Sequence, residues 1–120
     1  ALAWSFLRAR FQGYQNVDPM DATQLMNHRD AVIVDVREGN ELGEGQIRDS
    51  VHVPLGEIKS GPDKLARHKG RPVIAVCRTG SRSGIAASSL VKSGFEEVYN
   101  LRGGIMAWQN AGLPLQKAKR

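Results

Sequence analysis

The 120-residue chain contains one cysteine, Cys77. An internal disulfide is therefore excluded, and a lone reactive thiol suits a reducing compartment, so a cytoplasmic location is expected. No run of about 20 apolar residues occurs, and these residues contain neither a full membrane span nor a signal peptide. No His, Cys and carboxylate residues recur at metal-ligand spacing, so neither a metal nor another cofactor is expected. Aromatic residues make up only 6 % of the chain, and no basic stripe is interleaved with them, which argues against nucleic acid as a partner. Internal repeats and low-complexity segments are absent too.

What remains has the balance of an ordinary globule. With 41 % hydrophobic and 24 % charged residues, the chain is long enough for one domain with a single core. The net charge of +5 is concentrated toward the ends, in Arg8 and Arg10 and then in Lys117, Lys119 and Arg120. Small anionic substrates or an acidic membrane surface fit that surplus better than nucleic acid. Residues 1–15 are read as an N-terminal segment, 16–114 as the domain and 115–120 as a basic tail. In residues 1–11 the aromatics Trp4, Phe6 and Phe11 stand beside Arg8 and Arg10. Two readings stay open there: a short docking helix, or the interfacial end of a membrane anchor that would tether the domain at the cytoplasmic face.

Apolar runs of strand length alternate with helix-like stretches. Asp18 as N-cap and Pro19 at the first helical position start a short helix that ends near His28, with Met20, Leu25 and Met26 as its core residues. The run from Ala31 to Val36 reads as a strand buried on both faces. Asp35 interrupts it, and a buried carboxylate needs a partner, for which Arg37 or a loop N–H is the natural candidate. The pair would brace loops. Residues 38–45 read as a loop with at most a weak helix around Glu41. Residues 51–55 read as an edge strand ended by Pro54, with His52 facing out or filling a gap. Residues 57–69 form a polar connector in which His68 is read as a surface residue. The run from Val73 to Cys77 is the next buried strand. A helix follows it, with Ile85, Ala86, Leu90 and Val91 as its apolar face and Gly94 as its terminator. A last strand, Val98 to Leu101, leads to a helix in which Trp108 anchors to the sheet. This alternation predicts a three-layer α/β fold with a mainly parallel sheet.

The chemistry concentrates in Val76-Cys77-Arg78-Thr79-Gly80-Ser81-Arg82-Ser83. A cysteine at the carboxyl end of a buried strand, followed by small and basic residues and then a helix, sits where open α/β sheets place their ligands. Loop N–H groups can turn inward around the sulfur, and the helix N-terminus with Arg78 and Arg82 adds positive field. Such a setting favours thiolate and makes the sulfur a nucleophile.

These residues resemble the single-domain rhodaneses. The first half of the resemblance lies in Asp35-Val36-Arg37-Glu38, Glu41, Gly45-Gln46-Ile47 and Val53-Pro54-Leu55. The second, more specific half lies in residues 77–83, Ala87, Gly94-Phe95, residues 98–101, Gly103-Gly104 and Trp108. The chain departs at Gly45-Gln46-Ile47-Arg48-Asp49-Ser50, where the family often reads Gly-His-Ile-Pro-Gly-Ala. The resemblance implies a five-stranded sheet with the Cys77 strand central. It implies a sulfurtransferase in which Cys77 carries sulfane sulfur as a persulfide, cradled by the backbone of Arg78, Thr79, Gly80, Ser81 and Arg82. Its partners would be an anionic donor such as thiosulfate and a thiol or cyanide acceptor, including a sulfur-accepting protein. Two other readings stand beside it: an oxyanion-handling thiol enzyme of the phosphatase or arsenate-reducing kind, and a non-catalytic docking domain. Phosphatases of this resemblance place five residues between Cys and Arg. Here Arg78, Thr79, Gly80 and Ser81 are the four between Cys77 and Arg82, which forms a smaller cradle.

Overall fold

The computed structural model describes residues 13–60 and 63–117. In chain order the elements are β1 (Gln15–Val17), α1 (Pro19–Arg29), β2 (Val32–Asp35), a 3-10 helix (Gly39–Glu44), β3 (Val51–His52), α2 (Leu55–Lys59), a second 3-10 helix (Asp63–His68), β4 (Val73–Val76), α3 (Ser81–Lys92), β5 (Val98–Leu101) and α4 (Gly104–Asn110). The five strands form one sheet in the order β1-β5-β4-β2-β3, and every pairing is parallel. β4 is the middle strand. The α/β architecture and the parallel five-stranded sheet expected from the sequence are both present.

Period-two alternation divides the core between the two faces of this sheet. Val32, Val34 and Val36, with Val73, Ala75 and Cys77, pack against Ile58 of α2 and Ala86, Ala87 and Leu90 of α3. Ile33, Ile74, Val76 and Leu101 turn the other way, onto Ala22 and Leu25 of α1 and Ile105 and Trp108 of α4. All four residues of β4 are fully buried, as a central strand covered on both faces requires. Trp108 is buried in the second layer, and its indole N–H donates to the Pro114 carbonyl at 2.9 Å.

Helix ends follow local chemistry. Asp18 caps α1 by accepting from the Asp21 N–H at 2.9 Å, with Pro19 in the first turn. After α3, Gly94 adopts φ +100°, and the Gly94 and Phe95 N–H groups bond back to the Val91 and Leu90 carbonyls, a Schellman ending.

Several expectations need correction. β1 was not foreseen. Three residues with only Val17 buried give no apolar run, and the strand exists because β5 offers it an edge. Met20 is exposed rather than part of the core, and so is Ile85. The inward face of α3 is Ser83, Ala86, Ala87 and Leu90, turned one position from the expected stripe. His68 is buried rather than superficial, between Arg67 and Arg71. Burial, then the positive charge of Arg71 and Arg67, pushes its pKa below the ordinary histidine value. Where the sequence suggested a loop with at most a weak helix around Glu41, Gly39–Glu44 is a 3-10 helix, and the Glu41 side chain accepts from the Glu38 N–H in a capping box.

Packing continues past residue 114 to Gln116, which exchanges two backbone hydrogen bonds of 2.7 Å with Gln46. The reading of residues 1–11 as a docking or anchor segment falls outside the described residues. Among those residues, no helix is long and apolar enough to cross a membrane.

Candidate active site

Cys77 follows the last residue of β4, at the carboxyl edge of the sheet, and its loop runs straight into α3. The geometry around the sulfur is that of an anion site. Sγ accepts from the Gly80 N–H at 3.1 Å, from the Ser83 N–H at 3.3 Å and from the Ser83 hydroxyl at 3.3 Å. α3 has no side-chain cap at Gly80, and Ser83 is its third residue. The sulfur therefore takes the acceptor role that a capping oxygen normally fills, and it lies in the positive field of the helix terminus. Burial pushes the Cys77 thiol up, but the Ser83 hydroxyl and the Ser83, Gly80 and Thr79 N–H groups together outweigh it and hold the pKa below the ordinary thiol value. The residue is fully buried.

The loop conformation has two visible causes. Gly80 adopts φ +104°, a left-handed turn that costs glycine little, and this turn brings its N–H onto the sulfur. From the other side, the Ile105 and Met106 N–H groups of α4 bond the carbonyls of Cys77 and Arg78 at 2.9 and 3.2 Å. That leaves the loop's N–H groups for the sulfur. Gly104 makes this approach feasible. At φ +60°, a Cβ on it would lie 2.5 Å from the Arg78 carbonyl oxygen. We expect Gly104→Ala to lose more than about 2 kcal/mol of stability and most of the Cys77 reactivity. Denaturant midpoints and the alkylation rate of Cys77 would check this, and a native rate would show that α4 does not shape the loop.

Both arginines of the loop are held by carboxylates of the Gly39–Glu44 turn. Arg82 makes a two-pronged pair with Glu41, at 2.6 and 2.8 Å, and Arg78 pairs with Glu44 at 2.9 Å. The Arg78–Glu44 pair is about half exposed on each side and contributes no more than about 1 kcal/mol. Glu41 is the more committed partner. Its hydrogen bonds from Arg82 and from the Glu38 N–H lower its pKa from 4.5 to about 2. A carboxylate lowered in this way adds stability that is complete above its unfolded value and is lost as the pH falls through its folded one. Wild type and Glu41→Gln should thus differ in stability above pH 4.5 and converge as the pH approaches 2. A constant difference across that range would mean that the pair does not carry the effect.

Beneath that turn lies the Asp35–Arg37 pair, both residues 1 % exposed. Arg37 Nη2 donates to Asp35 Oδ2 and to the Gly45 carbonyl, each at 2.8 Å, while Nη1 reaches the Glu41 carbonyl at 3.3 Å. His52 Nε2 lies 2.7 Å from the Arg37 carbonyl oxygen, so this histidine is tied into the brace. A connected path runs from Asp35 through Arg37 to the Glu41 backbone and from the Glu41 side chain to Arg82. Thr79 and Ser81 have no side-chain hydrogen bond in the cradle. Among the described residues, no group of three His, Cys, Asp or Glu side chains is placed to hold a metal ion.

Sequence reasoning assigned no role to the Ser83 side chain or to Asn100. Asn100, on β5, accepts from the Ser83 hydroxyl through Oδ1 and donates through Nδ2 to Asn16 Oδ1 at 3.0 Å and to the Gly80 carbonyl at 3.1 Å. A signal was available: an amide inside the buried run Val98 to Leu101 needs partners as much as Asp35 does.

Comparison with known proteins agrees with this picture. The family description "Rhodanese-like domain" matches residues 18–111. The uncharacterized protein YibN of Escherichia coli K12 is 37 % identical over 100 residues, 82 % of this chain and 70 % of that protein. A protein named sulfurtransferase from Allochromatium vinosum is 37 % identical over 92 residues, 77 % of this chain and 84 % of its own. Thiosulfate sulfurtransferase GlpE of Coxiella burnetii is 33 % identical, covering 80 % and 88 %. Among solved structures, a rhodanese-related protein from Thermoplasma volcanium superposes with a TM-score of 0.77 at 26 % identity, covering 88 % of this chain and all of that one. A Rhodopseudomonas palustris protein described as a possible tyrosine phosphatase gives 0.76 at 25 % identity, covering 97 % and 94 %. With its fold, its Cys77 loop and a family match over most of its length, this chain belongs to the rhodanese-like domain family.

Proposed function

We propose that this chain is a sulfurtransferase working through a persulfide on Cys77. The observation that carries the reading is the convergence of two N–H groups and one hydroxyl on Sγ at the N-terminus of α3. The thiolate attacks the outer sulfur of a donor of the thiosulfate class, the donor S–S bond breaks, and sulfite leaves with the bonding pair. The terminal sulfur of the resulting Cys77 persulfide carries the negative charge, which the same donors stabilise as an oxyanion hole would. A thiol or cyanide acceptor then attacks that sulfur and releases the Cys77 thiolate. An acceptor thiol on another protein belongs to the same chemical class.

The two arginines would act differently. Arg82 is committed to Glu41 and would position the loop, whereas the weak, exposed Arg78–Glu44 pair can open so that Arg78 meets an anionic donor. Arg78→Ala should therefore raise the apparent KM for thiosulfate several-fold and leave that for a neutral donor nearly unchanged. Equal effects on both would remove Arg78 from donor binding.

The likeness to the possible phosphatase favours weighing phosphoryl transfer as a second reading. Loop size argues against it. A persulfide ends in one compact sulfur that six residues can surround, while a phosphoryl group needs three peripheral oxygens held during in-line attack. We expect measurable thiosulfate:cyanide sulfurtransfer and negligible aryl phosphate hydrolysis. A glycine inserted between Gly80 and Ser81 should depress the first. Robust hydrolysis by the native loop without sulfur transfer would replace this reading with the second.

A further inference from the structure

The Ser83 hydroxyl has one proton and two acceptors, Asn100 Oδ1 at 2.5 Å and Cys77 Sγ at 3.3 Å. The Asn100 amide cannot turn away without loss. Its Nδ2 is engaged by Asn16 Oδ1 and by the Gly80 carbonyl, which fixes Oδ1 as the atom facing Ser83. Asn100 is 6 % exposed, so its oxygen has little access to water as a replacement donor.

We propose that Asn100 is a positioning residue that sets the reactivity of Cys77 by competing with its sulfur for the single Ser83 hydroxyl proton. While the sulfur is a neutral thiol, the hydroxyl donates to Asn100. When the sulfur is charged, as thiolate or within a persulfide, the hydroxyl turns to it and leaves Oδ1 without its donor. The proton stays on Ser83 Oγ throughout, and no covalent bond changes. A hydrogen bond to a charged acceptor is roughly twice as strong as a neutral one, so charge on the sulfur decides the competition. The cost of abandoning a buried amide oxygen is subtracted from what Ser83 gives the anion.

This makes a prediction opposite in sign to that of a scaffold role. If Asn100 only held Gly80 in place, Asn100→Ala would slacken the cradle and raise the thiol pKa. If it competes, Asn100→Ala frees the hydroxyl for the sulfur and lowers that pKa by roughly half to one unit, a three- to tenfold gain in thiolate below it. Arg78 and Arg82 with their partners Glu44 and Glu41, and Tyr14, whose hydroxyl lies beside Gly84, stay the same in every variant. Only Asn100→Asp adds a titratable group, so its effect is compared between Ser83 backgrounds.

Because Cys77 is the only cysteine, its pKa can be read from the pH dependence of iodoacetamide alkylation of the intact chain. The set is wild type, Ser83→Ala, Asn100→Ala and the double variant, with Asn100→Asp alone and with Ser83→Ala. We expect Ser83→Ala to raise the pKa, and Asn100→Ala to lower it only where Ser83 is present. Asn100→Asp preserves side-chain size and keeps the reading available if the alanine variant does not fold. Its carboxyl meets the Gly80 carbonyl and Asn16 Oδ1 where the amide donated, so it changes the acceptor that faces the hydroxyl. Its shift of the Cys77 pKa should therefore differ between the two Ser83 backgrounds. A rise with Asn100→Ala, or the same shift in both Ser83 backgrounds for whichever Asn100 variant folds, overturns the proposal. The inference rests on the thiolate reading of the cradle. A wild-type thiol of ordinary pKa would overturn both, whereas a low wild-type value without coupling would overturn only the role of Asn100.

Discussion

Cys77→Ser should abolish sulfur transfer while leaving the fold in place. A hydroxyl oxygen can accept from Gly80 and Ser83 much as the sulfur does, and serine is close in volume, so the core around α3 should lose little. The chemistry depends on two properties that serine lacks. Its hydroxyl is not ionised near neutral pH in this cradle, and its oxygen does not form the sulfur–sulfur bond that stores the transferred atom. We expect thiocyanate formation from thiosulfate and cyanide to fall to the uncatalysed rate, with a thermal midpoint within a few degrees of wild type. Substantial turnover in the serine variant would falsify the covalent mechanism.

The second large effect is expected at Asp35. Asp35→Ala removes the anion that neutralises Arg37, and a guanidinium that is 1 % exposed is then buried without its counter-charge. Breaking a buried pair from one side typically costs 3–5 kcal/mol, a large part of the roughly 5–15 kcal/mol available to a domain. The consequences should reach the site through the Gly39–Glu44 turn. Arg37 holds that turn by the Glu41 and Gly45 carbonyls, and the turn in turn presents Glu41 to Arg82. Stability and sulfur transfer should therefore fall together. Loss of activity at unchanged stability would instead assign Asp35 a direct part in the chemistry. The double change Asp35→Leu with Arg37→Met, which removes both charges, should recover part of the stability but not the activity, because an apolar pair cannot bond the loop carbonyls.

Much of this arrangement was legible in the sequence wherever one residue's chemistry forces a local answer. Val73 to Val76 has no polar atom to satisfy outside its backbone, so it reads as a strand covered on both faces, and Cys77 must follow it at the sheet edge. Asp18-Pro19 reads as a helix start and Gly94 as a helix stop, because each is a short-range requirement. Contacts between distant segments were not legible. Glu41 and Arg82 are 41 positions apart, and nothing in the acidic turn says which arginine it will meet. His68 read as superficial because its neighbours in sequence are polar, yet it is buried beside Arg67 and Arg71. Ile85 and Met20 show the converse. Single apolar residues on a helix need not face inward, and the inward face of α3 carries Ser83, with its N–H and hydroxyl on the sulfur, together with Ala86, Ala87 and Leu90. Asn100 was readable by the rule that flagged Asp35, since a polar side chain in a buried run must be answered by partners.

The central claim is that Cys77 carries the sulfur in transit, and intact mass measures it directly. The purified chain should be incubated with thiosulfate, freed of excess donor, and weighed before and after treatment with cyanide or a reductant. We expect a gain of one sulfur atom on a peptide containing Cys77, removed completely by either reagent and absent in Cys77→Ser. A chain whose mass is unchanged by thiosulfate while its cysteine remains free to alkylate would contradict the persulfide mechanism with this donor.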